Sequence, residues 1–153
     1  MINNHDMTTP TELLGLSLLG FARGGRQERT FHAVDPATGG RLGPPFHTAE
    51  PEEVELACRM AHEAAEPYGE TQPAERAAFL RALSQGLEAA REPIVARGQS
   101  ETGLPAARLQ SELGRTCGQL RLFADLVEEG SWVDARIDTA DPTRQPVPKP
   151  DVR

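Results

Sequence analysis

Pro105-Ala-Ala-Arg-Leu-Gln-Ser-Glu-Leu-Gly-Arg-Thr-Cys-Gly-Gln-Leu-Arg-Leu-Phe-Ala-Asp-Leu-Val-Glu-Glu129 is the stretch whose spacing decides the fold. Its residues Leu109, Leu113, Cys117, Leu120, Ala124 and Val127 recur three or four apart, which lines them up along one face of a helix. Pro105 suits a first helical turn, and Gly130 ends the run. At Ser131 the period changes to two. Val133, Ala135 and Ile137 alternate with Asp134, Arg136 and Asp138, which predicts a strand over Trp132–Thr139 with one apolar face. A strand placed after helices has no evident partner within the chain, and an open apolar edge is one that proteins cover or use. It reads either as a mobile tail or as a strand that adds to another sheet. Pro142, Pro146, Pro148 and Pro150 then predict an extended, linker-like end.

Upstream, three more helices are expected. The first covers Thr48–Glu66, with Thr48 or Glu50 as cap, Pro51 in the first turn and Glu52 and Glu53 at the positive end of the dipole. Its stripe is Val54, Ala57, Cys58, Ala61, Ala65 and Tyr68, small enough for another helix to approach closely. Thr71 is expected to cap the second, with Pro73 in its first turn and Leu80, Leu83, Leu87 and Ala90 as its stripe. Glu92-Pro93-Ile94-Val95-Ala96-Arg97 opens a short third helix that Gly103 ends.

Before the helices, Thr30-Phe31-His32-Ala33-Val34 is rich in strand formers and runs into Asp35-Pro36-Ala37-Thr38-Gly39-Gly40. Pro36 presets φ, Asp35 can bond the backbone two residues on, and Gly39 tolerates positive φ. A tight turn follows, with a return strand from Arg41-Leu42. Such a two-stranded ribbon needs helices to pack on. Residues 1–29 read as a loose, partly disordered lead-in with a short strand around Leu16–Phe21. The chain is therefore expected to be mainly α with a small β component. Its order is lead-in, ribbon (30–47), four consecutive helices (48–130), unpaired strand (131–141) and Pro-rich linker (142–153).

The 153 residues carry 16 basic and 23 acidic side chains, a net charge of −7. A duplex-binding surface needs a basic stripe, so nucleic acid is not expected as a partner, nor is an anionic membrane surface. Aromatic residues make up 5%, which argues against base-stacking platforms. No apolar run reaches the roughly 20 residues of a membrane helix. Met1–Thr11 lacks the basic residues of a secretory leader, so a cytoplasmic location is expected. Cys58 and Cys117 form no Cys-x-x-Cys pair and read as small apolar residues.

The chemical inventory is thin. There is no Gly-x-Ser-x-Gly, no Gly-x-Gly-x-x-Gly and no Gly-rich lysine loop. His5, His32, His47 and His62 sit at no ligand spacing, and no metal is expected. His62 and Glu66 lie one turn apart on a surface helix and read as a solvated pair. By its residues alone, this is an acidic helical module with one unsatisfied strand and no catalytic group.

A resemblance adds to that reading. Phe31 followed by Asp35-Pro36-Ala37-Thr38-Gly39 resembles the opening of the aldehyde dehydrogenase superfamily. Glu50–Val54, Ala61–Ala65, Pro73-Ala74-Glu75-Arg76, Glu101-Thr102-Gly103-Leu104-Pro105 and Leu120-Arg121-Leu122-Phe123-Ala124 keep the family's order. Leu104 stands where the family usually has Lys. With Gly130–Thr139, that departure is most similar to the branch that oxidises 2,5-dioxopentanoate (α-ketoglutaric semialdehyde), generally with NADP. The resemblance implies a partial α/β fold, without the family's Rossmann-type cofactor domain or its catalytic Cys and Glu. The chain is then expected to be the N-terminal fragment of an NAD(P)-dependent enzyme that turns an aldehyde into a carboxylate. By itself it is expected to be inactive and to bind neither NADP nor NAD. The resemblance further implies that Trp132, Val133, Ala135 and Ile137 belong to an oligomerisation strand joining a neighbouring subunit's sheet, in a homo-oligomeric complete enzyme. Ser111 and Arg115, one turn apart, are implied to border the substrate entrance, with Arg115 able to meet a distant carboxylate. The alternative, of another class, is a non-enzymatic helical interaction module that recruits partners by strand addition through residues 131–139.

Overall fold

The computed structural model describes residues 13–135 and 139–150. In chain order the elements are β1 (Leu18–Leu19), β2 (Ala22–Arg23), β3 (Thr30–Val34), β4 (Arg41–His47), α1 (Pro51–Gly69), α2 (Pro73–Ala89), α3 (Arg91–Thr102) and α4 (Ala106–Glu129). A 3₁₀ turn at Ser131–Val133 follows. The strands make two separate antiparallel pairs, β1 with β2 and β3 with β4. The mainly helical architecture with a small β component is thus the one the spacing predicts.

The β3–β4 ribbon pairs Thr30 with His47, Phe31 with Phe46, Ala33 with Leu42 and Val34 with Arg41, with an irregularity between Phe31 and Ala33. Its turn works as Asp35-Pro36 and Gly39 predict. Asp35 Oδ1 accepts the Ala37 N–H at 2.8 Å, and the Gly39 N–H donates to the Asp35 carbonyl at 2.8 Å. The lead-in is not loose throughout. The strand expected around Leu16–Phe21 is a miniature hairpin that reverses at Gly20-Phe21. Ahead of it, the Gly15 carbonyl accepts the His47 N–H at 2.9 Å. Residues 1–12 lie outside the described residues.

Helices α2 and α4 pack along their lengths, α3 packs on α4, and α3 also touches β3. The core is small: Ala77, Val95, Leu113, Cys117 and Ala124 are buried, with Ser84 as the one buried polar residue among those described. The predicted α4 stripe is the one that turns inward, with Leu113, Cys117 and Ala124 at its centre. On α2 the inward face runs through Ala77, Leu80 and Ser84, and Leu83 stays 41% exposed.

One cap differs from expectation. The second helix is capped by Gln72, whose N–H donates to Glu75 Oε2 at 2.9 Å. Thr71 is occupied elsewhere, its hydroxyl donating to the Tyr68 carbonyl at the end of α1 at 2.7 Å. Helix α1 is the larger surprise, because none of its residues is buried. Its stripe is mostly exposed, with Val54 at 52% and Tyr68 at 50% exposure and Ala57 half-buried. Its ties include Glu53 Oε1, which accepts the Gly25 N–H at 2.8 Å, Met60, whose methyl lies against Gly20, and the Tyr68 ring, which meets Phe79 edge-on at 6.2 Å.

The strand expected over Trp132–Thr139 does not begin where the period changes. Ser131–Val133 is a 3₁₀ turn and Asp134 has φ +49°. Local bonds explain this. Glu129 Oε2 accepts both the Ser131 N–H (3.0 Å) and hydroxyl (2.5 Å), and the Val133 N–H donates to the Gly130 carbonyl at 3.1 Å. A strand satisfies its backbone only with a neighbouring strand, and among the described residues none pairs with this segment. Trp132, Val133 and Ala135 are all exposed here, and Ile137 lies outside the described residues. The Pro-rich end is not extended either. Asp141 and Lys149 exchange two backbone bonds of 3.0 Å, closing residues 141–149 into a loop that starts with Asp141 Oδ1 accepting the Thr143 N–H.

Candidate functional site: the outer face of α4

Helix α4 shows one face to α2 and the other to solvent, because its inward stripe takes only part of the helix circumference. Beside that stripe, Arg115, Thr116, Gln119 and Phe123, with the half-buried stripe residue Leu120, line an open groove of about 410 Å³. They fall at i, i+1, i+4, i+5 and i+8, a ribbon of side chains along one side of the helix. The rise from Arg115 to Phe123 is about 12 Å at 1.5 Å per residue. The groove thus has a cation at one end, a hydroxyl and an amide beside it, and an aromatic ring, 50% exposed, at the other.

Arg115 is 79% exposed, with its Nε 3.4 Å from Glu112 Oε2. The other oxygen of that carboxylate, Oε1, pairs with Arg108 at 2.7 Å. Two guanidinium groups therefore share one carboxylate, and this end of the groove carries net positive charge in an acidic chain. Thr116 donates its hydroxyl to the Glu112 carbonyl at 3.0 Å. Of the residues singled out from sequence, Arg115 lies in the groove. Ser111 is exposed one turn earlier and is not among the lining residues. Thr116, Gln119 and Phe123 were missed. The signal was present, since 115, 119 and 123 are spaced by one helical turn each.

A second groove lies on the α2–α4 seam, lined by Arg81, Ser84, Gln85, Glu88, Arg121 and Asp125. Its charges are paired within it. Arg81 Nη2 meets Asp125 at 2.8 Å and Glu128 at 2.6 Å, and these two carboxylates hold its guanidinium above the usual arginine range. Arg121 donates to Ser84 Oγ at 2.9 Å. Arg91 hydrogen-bonds Glu88 and holds that carboxyl below its ordinary range. This groove is a clamp between helices.

Cys58 is exposed on α1, and Cys117 is buried with its Sγ 3.8 Å from the Ser84 carbonyl. The Cys117 side chain also helps hold the Glu88 carboxyl below its ordinary range. His32 and His47 face backbone: His32 Nδ1 lies 3.2 Å from the Leu42 carbonyl, and His47 Nδ1 lies 2.9 Å from the Gln27 nitrogen. Among the described residues no three His, Cys, Asp or Glu side chains gather as a metal site, and no helix is long and apolar enough to cross a membrane.

A dinucleotide needs a strand–turn–helix whose first helical N–H groups are open to phosphate. The described strands are all antiparallel, and the starts of α1 and α2 are filled by their own side chains, Glu50 with Glu53 and Gln72 with Glu75. Among the described residues no parallel strand leads into such a helix start.

Antiparallel ribbon, Asp35–Gly39 turn and helical unit together define a class. Residues 23–147 match the aldehyde dehydrogenase family, and the chain belongs to it. Similar relatives include "Alpha-ketoglutaric semialdehyde dehydrogenase 2" of Azospirillum brasilense, 42% identical over 93% of this chain and 27% of the relative. The "Alpha-ketoglutaric semialdehyde dehydrogenase" of Acinetobacter baylyi is 43% identical over 71% of this chain and 20% of its own length. An "N-succinylglutamate 5-semialdehyde dehydrogenase" of Legionella pneumophila is 30% identical over 65% of this chain and 20% of its own length. The chain thus spans between a fifth and about a quarter of the length of these relatives.

Proposed function

We propose that this chain supplies the N-terminal helical scaffold of an NAD(P)-dependent aldehyde dehydrogenase that oxidises 2,5-dioxopentanoate to 2-oxoglutarate in the cytoplasm. The observation that carries the reading is the 42% identity to the Azospirillum relative, sustained over 93% of this chain. The scaffold and the redox centre are then separate parts. The described residues offer a helical unit and no dinucleotide cradle, so cofactor binding, thiolate attack and hydride transfer fall to parts this chain does not contribute. The chain alone turns over no aldehyde.

The mostly exposed stripe of α1 belongs to the same reading. Val54, Ala57, Cys58, Ala61, Ala65 and Tyr68 dock on the rest of the dehydrogenase fold, which removes their apolar surface from water. Residues 131–139 act in homo-oligomerisation: they leave the local turn and pair with a neighbouring subunit's sheet, trading short-range bonds for a ladder.

The test is a chimera in which residues 23–147 replace the matched stretch of the Azospirillum relative. It should fold and form NAD(P)H from 2,5-dioxopentanoate at a rate within about tenfold of the parent, a loss of at most roughly 1.4 kcal/mol in transition-state stabilisation. A folded, cofactor-binding chimera with no aldehyde oxidation would overturn the proposal.

A further inference from the structure

We infer that His47 is a proton-operated clasp between the lead-in and the ribbon: the neutral ring accepts the Gln27 N–H, and the charged ring turns to the Gln27 carbonyl and lets that N–H go. The inference stands apart from the enzymatic reading. His47 Nδ1 lies 2.9 Å from the Gln27 nitrogen and 2.8 Å from the Gln27 carbonyl oxygen. One ring nitrogen cannot serve both. Without a proton it accepts, and with one it donates. The neutral ring can carry its proton on the other nitrogen, Nε2. This half-buried site favours that form, because a buried N–H is left without a partner less readily than a carbonyl. The charged ring has protons on both nitrogens, so Nδ1 is left with the carbonyl alone. The Gln27 N–H then faces another N–H. Its bond to the ring is thus present at high pH and lost as pH falls. His32 supplies the contrast. Its Nδ1 meets a carbonyl, that of Leu42 at 3.2 Å, and donates there in either state.

The rest of the junction does not depend on a ring proton. The His47 N–H donates to the Gly15 carbonyl and the Thr48 N–H to the Arg29 carbonyl, both at 2.9 Å. Thr30, opposite His47 on β3, carries no charge. The charged side chains alongside are Arg26, Glu28 and Arg29 on the lead-in and Glu50 and Glu53 at the start of α1. Glu53 accepts the Gly25 N–H, and among the described residues no carboxylate forms a salt bridge with the imidazole. A proton on His47 therefore loosens the stretch around Gln27, which Gly25 ties to α1.

The experiment is amide hydrogen exchange by NMR on the isotope-labelled chain between about pH 8 and pH 5, the range in which histidine changes charge, with rates corrected for the intrinsic pH dependence of exchange. Protection of the Gln27 amide should fall by about tenfold at the acid end, the weight of one lost hydrogen bond, while the Gly39 amide and those of α4 keep theirs. The nitrogen signal of His47 Nδ1, read on the same unmutated chain, should change with the same midpoint. His47→Asn puts an oxygen that accepts at every pH in place of Nδ1, and should remove the pH dependence at Gln27. His32→Asn should leave the drop in place. A Gln27 amide equally protected at both ends, a midpoint unlike that of His47, a drop that persists in His47→Asn, or a loss spread over α4 as well overturns the inference.

Discussion

Ser84 on α2 and Cys117 on α4 hold each other's main chain across the helix seam. Ser84 Oγ donates to the Cys117 carbonyl at 3.3 Å, Cys117 Sγ lies 3.8 Å from the Ser84 carbonyl, and both residues are buried. Small side chains here let the two helices approach. Ser84→Ala removes a bond and strips Arg121 of its acceptor, and should cost about 1 kcal/mol. Cys117→Leu forces volume into a full seam and should cost about 1–3 kcal/mol. Urea unfolding followed by circular dichroism measures both. A Cys117→Leu variant as stable as the parent would mean the seam is looser than described.

Arg97 is the link between the helices and the ribbon. From α3 it donates to the Gly43 carbonyl, pairs with Glu101 at 2.5 Å and places its guanidinium 5.7 Å from the Phe46 ring centre. Phe46 in turn stacks on Phe31 at 5.5 Å. Arg97→Met should free the ribbon, losing about 1–2 kcal/mol of local stability. Hydrogen exchange at residues 41–47 should then accelerate by about tenfold while α2 and α4 keep their protection.

Glycine positions should respond in opposite directions. Gly15 has φ +68°, and a Cβ there would lie 2.0 Å from the Pro45 carbonyl oxygen. Gly15→Ala should therefore detach the lead-in and expose the His47 N–H to exchange. Gly86, inside α2, has nothing within 4 Å of a built Cβ. Gly86→Ala should raise stability by about 0.5–1 kcal/mol through helix propensity.

Acid should weaken the surface ties. Hydrogen bonds from Arg91 to Glu88, from Ser131 to Glu129 and from Thr143 to Asp141 hold these carboxyls below their ordinary values of 4.5, 4.5 and 3.8. Folded-state values below the unfolded ones mean that their contribution is full above about pH 5 and is lost as pH falls through the folded values. Glu129 and Asp141 are solvent-exposed and Glu88 is half-buried, so the contribution is small and screened by salt. A melting temperature that falls between pH 5 and pH 3, with a shallower fall at high salt, is the expected record. A rise over that range would contradict the assignment.

The parts legible in the sequence are those fixed by local chemistry. The α4 stripe, the Asp35–Gly39 turn and the stops at Gly103 and Gly130 each depend on residues close in sequence, and all stand where the spacing puts them. What was not legible depends on competition or on distant surfaces. Thr71 reads as a cap for α2, yet the end of α1 takes its hydroxyl first. Trp132 and Val133 alternate like a strand, yet Glu129 and Gly130 hold them in a turn. Periodicity identifies the α1 stripe but cannot say whether anything covers it. Arg115 entered through resemblance, and its neighbours Thr116, Gln119 and Phe123 emerged only when the helix face was seen whole.

The central claim is a division of labour, with the scaffold in this chain and the redox centre elsewhere. The direct measurement is calorimetric titration of the purified chain, its helices verified by circular dichroism, with NADP and NAD, followed by addition of 2,5-dioxopentanoate. The account predicts no saturable binding heat and no reduced nicotinamide. Saturable cofactor binding by the folded chain, followed by reduction when the aldehyde is added, would contradict it.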